Sequence, residues 1–363
     1  MDKNWSIALG DWIEERLPWR GAVDFLRKKK VPMGWHSPSY YLGGMALFCF
    51  IVQVITGTLL LVYYKPSADQ AYESVKFITV DVPFGWLIRS VHSWSANIMV
   101  GLVLAHMFSV YLLKSYRRPR EFTWLSGMGL LGIIFTFGFS GYLLPWNQLA
   151  FFATKVGTET LRNVPIVGQL LMAMMRGGPD VTEATLNRFF ALHVMVLPLV
   201  CAALLGLHLL LVQIHGMSMP VSMESYGEEP LCLPFYPDFM LRDLVGWLLI
   251  LGILATLAVY YPWPIGQKAD LFASTPEGIK PEWYFLFVFE TLRLAPSMIF
   301  GFEGEFLVIM GIGFAVTLWA LTPFLDRKAQ RTQPSPWFTS AGVLVLLYII
   351  VMTVYSYAKG GGH

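Results

Sequence analysis

Two apolar stretches, HSWSANIMVGLVLAH at residues 92–106 and HVMVLPLVCAALLGLH at residues 193–208, decide how this sequence folds. Each begins and ends with a histidine, and neither contains an acidic or basic side chain between those histidines. Both lie within longer apolar runs of about 20 residues, the length that an α-helix needs to span a bilayer. Ionisable residues inside a membrane are costly, so four histidines in such runs indicate a functional site.

The spacing places the two histidines of each stretch on one side of its helix. At about 100° per residue, the 14 residues from His92 to His106 leave their side chains about 40° apart, and the 15 residues from His193 to His208 leave about 60°. Each pair is separated by about 21–23 Å along the helix axis. One further span lies between the two helices, which therefore run parallel. We predict that His92 faces His193 at one depth and that His106 faces His208 at another.

The composition extends this membrane pattern to the rest of the chain. Only 14% of the 363 residues are charged and 55% are hydrophobic, whereas soluble domains carry about 25% charged residues. We predict an all-α membrane protein in which a four-helix transmembrane bundle is followed by a three-helix transmembrane part. The seven predicted spans are residues 40–63, 90–113, 122–144, 187–214, 242–262, 303–325 and 337–357.

Positive charges indicate the orientation of these spans, because cytoplasmic loops carry an excess of lysine and arginine. With seven crossings, all the basic loops lie on one side, which we predict to be the cytoplasmic, negative side and to include the N-terminus. The basic positions are residues 27–30, Lys114, Arg117, Arg118, Arg120, Arg242, Arg327, Lys328 and Arg331. The net charge of +2 gives no indication of a nucleic-acid partner.

Two long segments, residues 145–186 and 263–302, connect spans on the opposite, positive side. Loops of this length are usually functional or disordered, and their apolar content argues against disorder. We expect both segments to fold onto the membrane surface.

Paired histidines across a helix bundle indicate haem, because imidazole is a good iron ligand and two facing imidazoles leave room for a flat macrocycle. A macrocycle also needs close approach of backbone, which glycine permits. Glycines recur at the 14-residue spacing in the first and third spans, although glycines in membrane helices often mark plain helix packing. We predict two non-covalent, bis-histidine b-type haems. The candidate cofactor-binding residues are the four histidines, Gly43, Gly57, Gly127 and Gly141, with Arg89 and Arg120 for the propionates.

Three motifs, GWLIRSVH at 85–92, GYLLPW at 141–146 and PEWY at 281–284, extend the evidence beyond the histidines. With them the chain resembles the cytochrome b family of bc1 and b6f complexes over nearly its whole length. The front part is similar to the b6 type, and the rear part resembles the small subunit of b6f complexes. The resemblance implies two domains, residues 1–220 with the haems and residues 221–363 with a quinol-site loop.

The resemblance implies a quinol:cytochrome c oxidoreductase, or one with another high-potential acceptor. Such a subunit oxidises quinol at the positive side and passes electrons through two b haems to a negative-side quinone site, coupled to proton translocation. Glu282 would accept a quinol proton and Tyr142 would assist it. The other implied quinone-binding residues are Pro281, Tyr284, Pro145 and Trp146 at the positive side, and His215 and Asp243 at the negative side.

Two positions depart from the family patterns. Tyr41 stands where the b6f type has the cysteine that anchors a third, covalent haem, so no covalent haem is expected through this site. Gln213 stands where the bc1 type has a histidine that contacts quinone, and Asp243 matches the acidic residue of that type. The negative-side site is therefore a hybrid of the two types.

The expected partners follow from the resemblance: a Rieske-type iron–sulfur protein, a c-type cytochrome, quinone (menaquinone is assumed) and the lipid bilayer. The iron–sulfur centre must lie on another chain, because the sequence has no cysteine and histidine cluster for it. We expect a homodimeric complex in the bacterial inner membrane. Two alternatives remain open: a dihaem membrane anchor of a dehydrogenase, which does not explain Glu282, and a proton-coupled transporter, which predicts broken helices at mid-membrane.

Overall fold

The computed structural model describes residues 3–16, 18–34, 36–221, 231–274 and 279–360. These residues form a bundle of long helices, with shorter helices covering both of its ends. The α-helices are α1 (Lys3–Arg16), α2 (Trp19–Lys28), α3 (Tyr41–Leu61), α4 (Ala71–Val80), α5 (Gly85–Leu112), α6 (Glu121–Leu143), α7 (Gln148–Thr160), α8 (Gly168–Arg176), α9 (Glu183–Ala191), α10 (Leu197–His215), α11 (Met240–Tyr260), α12 (Leu286–Leu294), α13 (Gly304–Ala320), α14 (Thr322–Leu325) and α15 (Pro336–Gly360).

Short elements complete the described chain. Turns of 3-10 helix lie at Ser37–Tyr40, Leu161–Asn163, Trp283–Phe285 and Ala329–Arg331, and π-helical turns lie at Leu192–Val196 and Phe235–Phe239. The antiparallel strands are β1 (Lys30–Pro32) with β2 (Cys232–Pro234), and β3 (Met298–Ile299) with β4 (Phe302–Glu303). The β1–β2 pair joins the N-terminal segment to the start of the rear helices.

Six helical segments of the described chain are long and apolar enough to span a membrane. They are Ser37–Leu61, Gly85–Leu112, Glu121–Leu143, Glu183–His215, Phe235–Tyr260 and Pro336–Lys359. Each coincides with a predicted span to within a few residues, so the helical membrane fold is confirmed. The remaining predicted span, residues 303–325, contains the shorter apolar helix α13 and the single turn α14.

Hydrogen bonds at the two ends of the bundle show how this shorter segment runs. At the end with the basic loops, Arg117 donates to the Met219 carbonyl at 2.7 Å, and the Tyr116 hydroxyl donates to Asp326 at 2.7 Å. At the opposite end, Tyr72 donates to the Gly266 carbonyl at 2.9 Å. The side chain of Asn163, in the cap at that end, donates to Glu305 at 3.0 Å. The segment 303–325, the sixth predicted span, thus begins at one end of the bundle and finishes at the other.

The predicted loops at the second end are folded. Residues 145–186 form α7, α8 and the start of α9, and residues 263–302 include α12 and the β3–β4 pair. Trp146, Phe151 and Phe189 belong to a buried apolar cluster that joins this cap to α4 and to the end of α6. The predicted domain boundary at residue 220 lies beside residues 222–230, which are outside the described part, so it remains a prediction.

Asp326 ties the last two helices to the front bundle. It is 1% exposed and accepts hydrogen bonds from the Tyr116 hydroxyl at 2.7 Å, the Ser335 hydroxyl at 2.7 Å and the Ala329 amide at 3.1 Å. A buried carboxylate is tolerated only when its oxygens are hydrogen-bonded.

Replacing Tyr116 by phenylalanine removes one of these donors while keeping the ring. We expect Tyr116→Phe to lower the free energy of unfolding by about 1–3 kcal/mol, because the bond is made to a buried charged group. Unfolding in sodium dodecyl sulfate, followed by tryptophan fluorescence, measures the change. Tyr260→Phe is the matched control on an exposed ring, and equal stability of the two variants would contradict the assignment.

Candidate functional site

The four span histidines occupy two levels of the bundle. His92 and His106 lie on α5, His193 lies in the π-helical turn before α10, and His208 lies on α10. His92 is close enough to His193 to interact electrostatically, and His106 interacts with His208 in the same way. The structure therefore brings together the two pairs that the spacing predicts.

The π-helical turn at Leu192–Val196 explains how unequal spacings give matched levels. The amide of Leu197 bonds to the carbonyl of Leu192, which places one more residue in this turn than an α-helix would hold. The 15-residue spacing from His193 to His208 therefore acts as 14 residues of regular helix. The angle of about 60° predicted for this pair becomes about 40°, equal to that of the pair on α5.

Each predicted glycine packs directly against one of the histidine rings. A β-carbon built on these glycines would lie 3.3 Å from the imidazole Cε1 atom in three cases and 2.6 Å in the fourth. The glycine levels thus match the histidine levels. The groups that approach these glycines closely are the imidazoles of the neighbouring helix. From the sequence we had expected the glycines to make room for the macrocycle itself. The contacts are Gly43–His106, Gly57–His92, Gly127–His208 and, at 2.6 Å, Gly141–His193.

Hydroxyl groups orient three of the four rings, and sequence analysis missed them. In each case the hydroxyl belongs to the residue immediately before the packed glycine, so a threonine or serine followed by glycine at the 14-residue spacing was the available signal. The bonded pairs are Thr56 Oγ1 with His92 Nδ1 at 2.8 Å, Ser126 Oγ with His208 Nδ1 at 2.9 Å and Ser140 Oγ with His193 Nδ1 at 3.1 Å.

The hydroxyls that contact the rings also lie within hydrogen-bond distance of backbone carbonyls. Thr56 Oγ1 is 2.6 Å from the Val52 carbonyl. Ser126 and Ser140 likewise lie 2.9 Å and 3.3 Å from carbonyls of their own helix. When a hydroxyl donates its single proton to such a carbonyl, its oxygen accepts from the ring, which favours the tautomer with hydrogen on Nδ1. In that tautomer the lone pair of the ring is on Nε2, where a metal can bind it.

His106 differs from the other three histidines. The residue before its glycine is Leu42, which has no hydroxyl, and among the described residues no group hydrogen-bonds the buried Nδ1 atom of His106. At this level Ser126 orients the ring of His208, whereas the Nδ1 atom of His106 has no hydrogen-bond partner among the described residues.

These residues could hold two haems, one at each level. Each level supplies two neighbouring imidazoles and backbone that lacks a β-carbon behind the rings. Among the described residues, no group of three or more histidine, cysteine or acidic side chains could hold a metal ion.

The two arginines assigned to the propionates bind backbone carbonyls. Arg89 is 6% exposed and donates to the carbonyls of Trp263 and Pro264, both at 2.7 Å. Arg120 donates to the carbonyl of His215 at 3.0 Å. Each guanidinium thus anchors a connecting segment at one end of the bundle. Their contact with propionates remains a prediction.

Glu282 lies near two tyrosines at the end of the bundle that we predict to be the positive side. It precedes the turn Trp283–Phe285 and is half-buried, and burial raises the pKa of its carboxyl group. Its charge acts on the hydroxyls of Tyr142 and Tyr284. The Tyr284 ring is buried and its hydroxyl packs on Gly138 of α6. The structure therefore brings together three of the predicted quinol-site residues.

The other residues predicted at the positive side, Trp146, Pro145 and Pro281, differ in their burial. Trp146 is 1% exposed and packs against Phe151 in the buried cluster, with ring centroids 5.5 Å apart. It therefore supports the cap, and its contact with quinone remains a prediction. Pro145 and Pro281 are half-buried beside Trp146 and Glu282.

At the opposite end, which we predict to be the negative side, Asp243 packs against the first span. A β-carbon on Gly44 would lie 2.4 Å from the Asp243 carboxylate oxygens, and among the described residues none hydrogen-bonds its buried Oδ1 atom. Lys29 donates to Gln213 Oε1 at 2.5 Å, and burial lowers the pKa of Lys29. His215 ends α10 on the same side.

Comparison with known proteins agrees with this geometry. The family described as Cytochrome b/b6/petB matches residues 28–216, and the family described as Cytochrome b(C-terminal)/b6/petD matches residues 268–360. The first match covers more than half of the chain.

Similar proteins match either nearly the whole chain or its front part. The cytochrome bc complex cytochrome b subunit of Chlorobaculum thiosulfatiphilum is 46% identical over 354 residues, 97% of this chain and 81% of the relative. Cytochrome b6 of Synechococcus sp. (strain CC9605) is 42% identical over 217 residues, 60% of this chain and 99% of the relative. The solved structure titled Hyperthermophilic respiratory Complex III has a TM-score of 0.79 and 29% identity, and covers 97% of this chain and 99% of that chain.

The glycine contacts give a direct test of the site. We expect Gly141→Ala to lower the content of b haem, because the new methyl group would stand 2.6 Å from His193 Cε1 and displace that ring. Gly132→Ala, on the same helix with open space around it, is the matched control. Pyridine haemochrome assays on purified protein measure the haem content, and full content in the Gly141 variant would contradict the proposed packing.

Proposed function

Since the chain belongs to the cytochrome b family, as a subunit of a bc-type complex, we propose that it binds two non-covalent b haems. His92 and His193 would hold one, and His106 and His208 the other. The observation that carries this proposal is the pairing of the four buried rings at two levels, where Thr56, Ser126 and Ser140 hydrogen-bond the Nδ1 atoms of three of them. When bound, the haems supply one-electron redox chemistry at two depths.

We propose that quinol is oxidised at the positive-side end, with Glu282 as the proton acceptor. Oxidation of a quinol releases two protons and two electrons, so the site needs a base. The half-buried position of Glu282 raises the pKa of its carboxyl group, and a base works best when its pKa lies near the operating pH. Tyr142, whose hydroxyl lies near Glu282, would assist by hydrogen bonding to the quinol. The buried Tyr284 packs on Gly138 and fixes the loop that carries Glu282 on α6.

The negative-side end supports a second quinone site. Asp243 has a buried carboxylate oxygen without a hydrogen bond among the described residues. Lys29, the residue before β1, donates to Gln213. We propose that Asp243 and His215 deliver protons to a quinone and that the Lys29–Gln213 pair replaces the histidine of the bc1 type. Protons taken up here and released near Glu282 would make the reaction translocate protons.

The complex supplies what this chain lacks. We propose a Rieske-type iron–sulfur protein and a c-type cytochrome as partners, menaquinone as the quinone, and a homodimeric complex in the bacterial inner membrane with the N-terminus cytoplasmic. The basic loops that gather at one end of the bundle support this orientation. Membership of the family disfavours the transporter and the dehydrogenase anchor.

Replacement of Glu282 tests the proposed base. We expect Glu282→Gln to slow quinol oxidation by at least tenfold, since a positioned base contributes about 10²–10⁴-fold, while the reduced spectrum of both b haems is unchanged. In the parent protein the rate should rise with pH through the pKa of Glu282, because only the deprotonated carboxylate accepts a proton. The glutamine variant should lack this dependence.

The exposed Glu303, at the same end of the bundle, provides the control. Glu303→Gln should keep both the rate and its pH profile, measured with a reduced quinone analogue and the complex in detergent. If Glu282→Gln retained the parent's rate and acid limb, Glu282 would not be the proton acceptor.

Mutations at the two ends of the bundle should affect the two proposed quinone sites independently. We expect Asp243→Asn to slow the re-oxidation of dithionite-reduced protein by added quinone several-fold, because a proton donor is lost at the negative-side end. Glu282→Gln, assayed in the same way with the positive-side site blocked by an inhibitor, should not. Stopped-flow absorbance follows both variants, and equal behaviour would argue for a single quinone site.

A further inference from the structure

Ser356, near the end of α15, is bound from two directions by the segment that carries Glu282. Its backbone carbonyl accepts a hydrogen bond from the Lys280 ammonium group at 2.5 Å, and its hydroxyl donates to Glu290 Oε1 at 3.0 Å. Lys280 lies two residues before Glu282 in the sequence, and Glu290 lies eight residues after it, on α12. One residue of the last helix therefore anchors the chain on both sides of the proposed base.

The bond between Ser356 and Glu290 is completely enclosed. Both residues are 0% exposed, and among the described residues no group hydrogen-bonds the second carboxylate oxygen of Glu290. Arg293, one turn further along α12, lies 3.3 Å from the oxygen that Ser356 binds. An apolar pair would often pack two helices at no greater cost than a buried charged group, but it would not fix their relative position. The polar contact therefore indicates that the position of α12 on α15 matters.

The same end of α15 contributes to the surroundings of the Glu282 carboxyl group. Tyr357, the residue after Ser356, is close enough to Glu282 for the carboxylate charge to act on its hydroxyl. The hydroxyls of Tyr142 and Tyr284 respond to the same charge. A shift of the loop relative to α15 would therefore change the environment of Glu282.

The chain between the two anchors has little regular structure of its own. Residues 281–285 contain a single turn of 3-10 helix, Trp283–Phe285, and the ring of Tyr284 packs on Gly138 of α6. The position of Glu282 is thus fixed by the contact of Tyr284 on one side and by the two bonds to Ser356 on the other. A base takes up a proton only within hydrogen-bond reach of it, so loss of these bonds would affect the reaction.

We propose that Ser356 is a positioning residue for quinol oxidation, which binds both Lys280 and Glu290 and thereby holds Glu282 toward the quinol. This inference rests on the role of Glu282 proposed above. Ser356 acts only through Glu282 and needs no contact with the quinol. Glu290 is in the same way an anchor for the loop, and its charge takes up no proton in the reaction.

Substitutions in the intact complex can break the two anchors separately. Ser356→Ala removes the hydroxyl and leaves the carbonyl for Lys280, whereas Lys280→Met removes the ammonium group and keeps the length of the side chain. The matched controls are Ser340→Ala and Lys359→Met, both at exposed positions of α15. Each variant is assayed with a reduced quinone analogue across a range of pH.

We expect Ser356→Ala and Lys280→Met each to lower the maximal rate of quinol oxidation at least about fivefold, because small displacements of a reacting group are costly. The double variant should be slower than either. In Ser356→Ala the acid limb of the rate should move to lower pH, because a displaced Glu282 loses part of the burial that raises the pKa of its carboxyl group. Both controls should keep the parent's rate and acid limb, and every variant should keep the parent's b-haem content.

The conservative change at Glu290 separates an anchor from a proton carrier. In Glu290→Gln the amide oxygen can still accept from Ser356, and the amide NH2 group takes the place of the oxygen that has no partner among the described residues. Glu290→Gln should therefore be faster than Glu290→Ala, which should resemble Ser356→Ala. Equal, slow rates of the two Glu290 variants would show that the carboxylate itself is needed and would overturn the proposal.

Two further results would contradict the role of Ser356. Parent rates in both Ser356→Ala and Lys280→Met would overturn it, as would a slow Ser356→Ala whose acid limb is unmoved. If Ser356→Ala does not assemble, the comparison of Glu290→Gln with Glu290→Ala decides. These results leave the role of Glu282 intact, because Glu282→Gln tests that role by itself.

Discussion

The contact between a glycine backbone and an imidazole ring of the neighbouring helix is the constraint on which this structure depends. It occurs four times, at Gly43, Gly57, Gly127 and Gly141, and it holds α3 against α5 and α6 against α10. Any side chain at these positions would meet the ring at 3.3 Å or less. Because each ring is held against the glycine of the neighbouring helix, the proposed cofactors would bind between the two helix pairs.

The candidate reactive groups at the two ends of the bundle lie on segments that are anchored to the histidine-bearing helices. Arg89, just before the first histidine, holds the backbone at Trp263 and Pro264, and that segment leads to Glu282. Arg120 holds the end of α10 in the same way at the opposite side. The proposed proton acceptor at one end and the buried carboxylate at the other would be separated by the two proposed haem levels, as electron transfer across a membrane requires.

Helical periodicity made much of this predictable. Residue spacing sets the face and depth of each side chain on a helix, so the spans, the histidine pairs and the glycine levels followed from the sequence. The short form of the sixth predicted span, the π-helical turn at Leu192–Val196 and the carbonyl contacts of Arg89 and Arg120 did not. The arginines bind carbonyls of residues far apart in sequence, which no local pattern records. The π-helical turn depends on one shifted backbone bond, from Leu197 to Leu192, in a run of residues that looks like regular helix. The hydroxyls of Thr56, Ser126 and Ser140 were only partly predictable. The sequence shows that each precedes one of the spaced glycines, but only the structure shows that a residue at this position hydrogen-bonds the histidine.

The most direct test of the account is the haem content of single histidine variants. The parent chain should carry two extractable b haems and no haem that resists acid–acetone extraction. His92→Ala and His193→Ala should each abolish the same spectral component, while His106→Ala and His208→Ala should each abolish the other. Loss of one component by His92→Ala and of a different one by His193→Ala would contradict the two-level pairing on which every further conclusion rests.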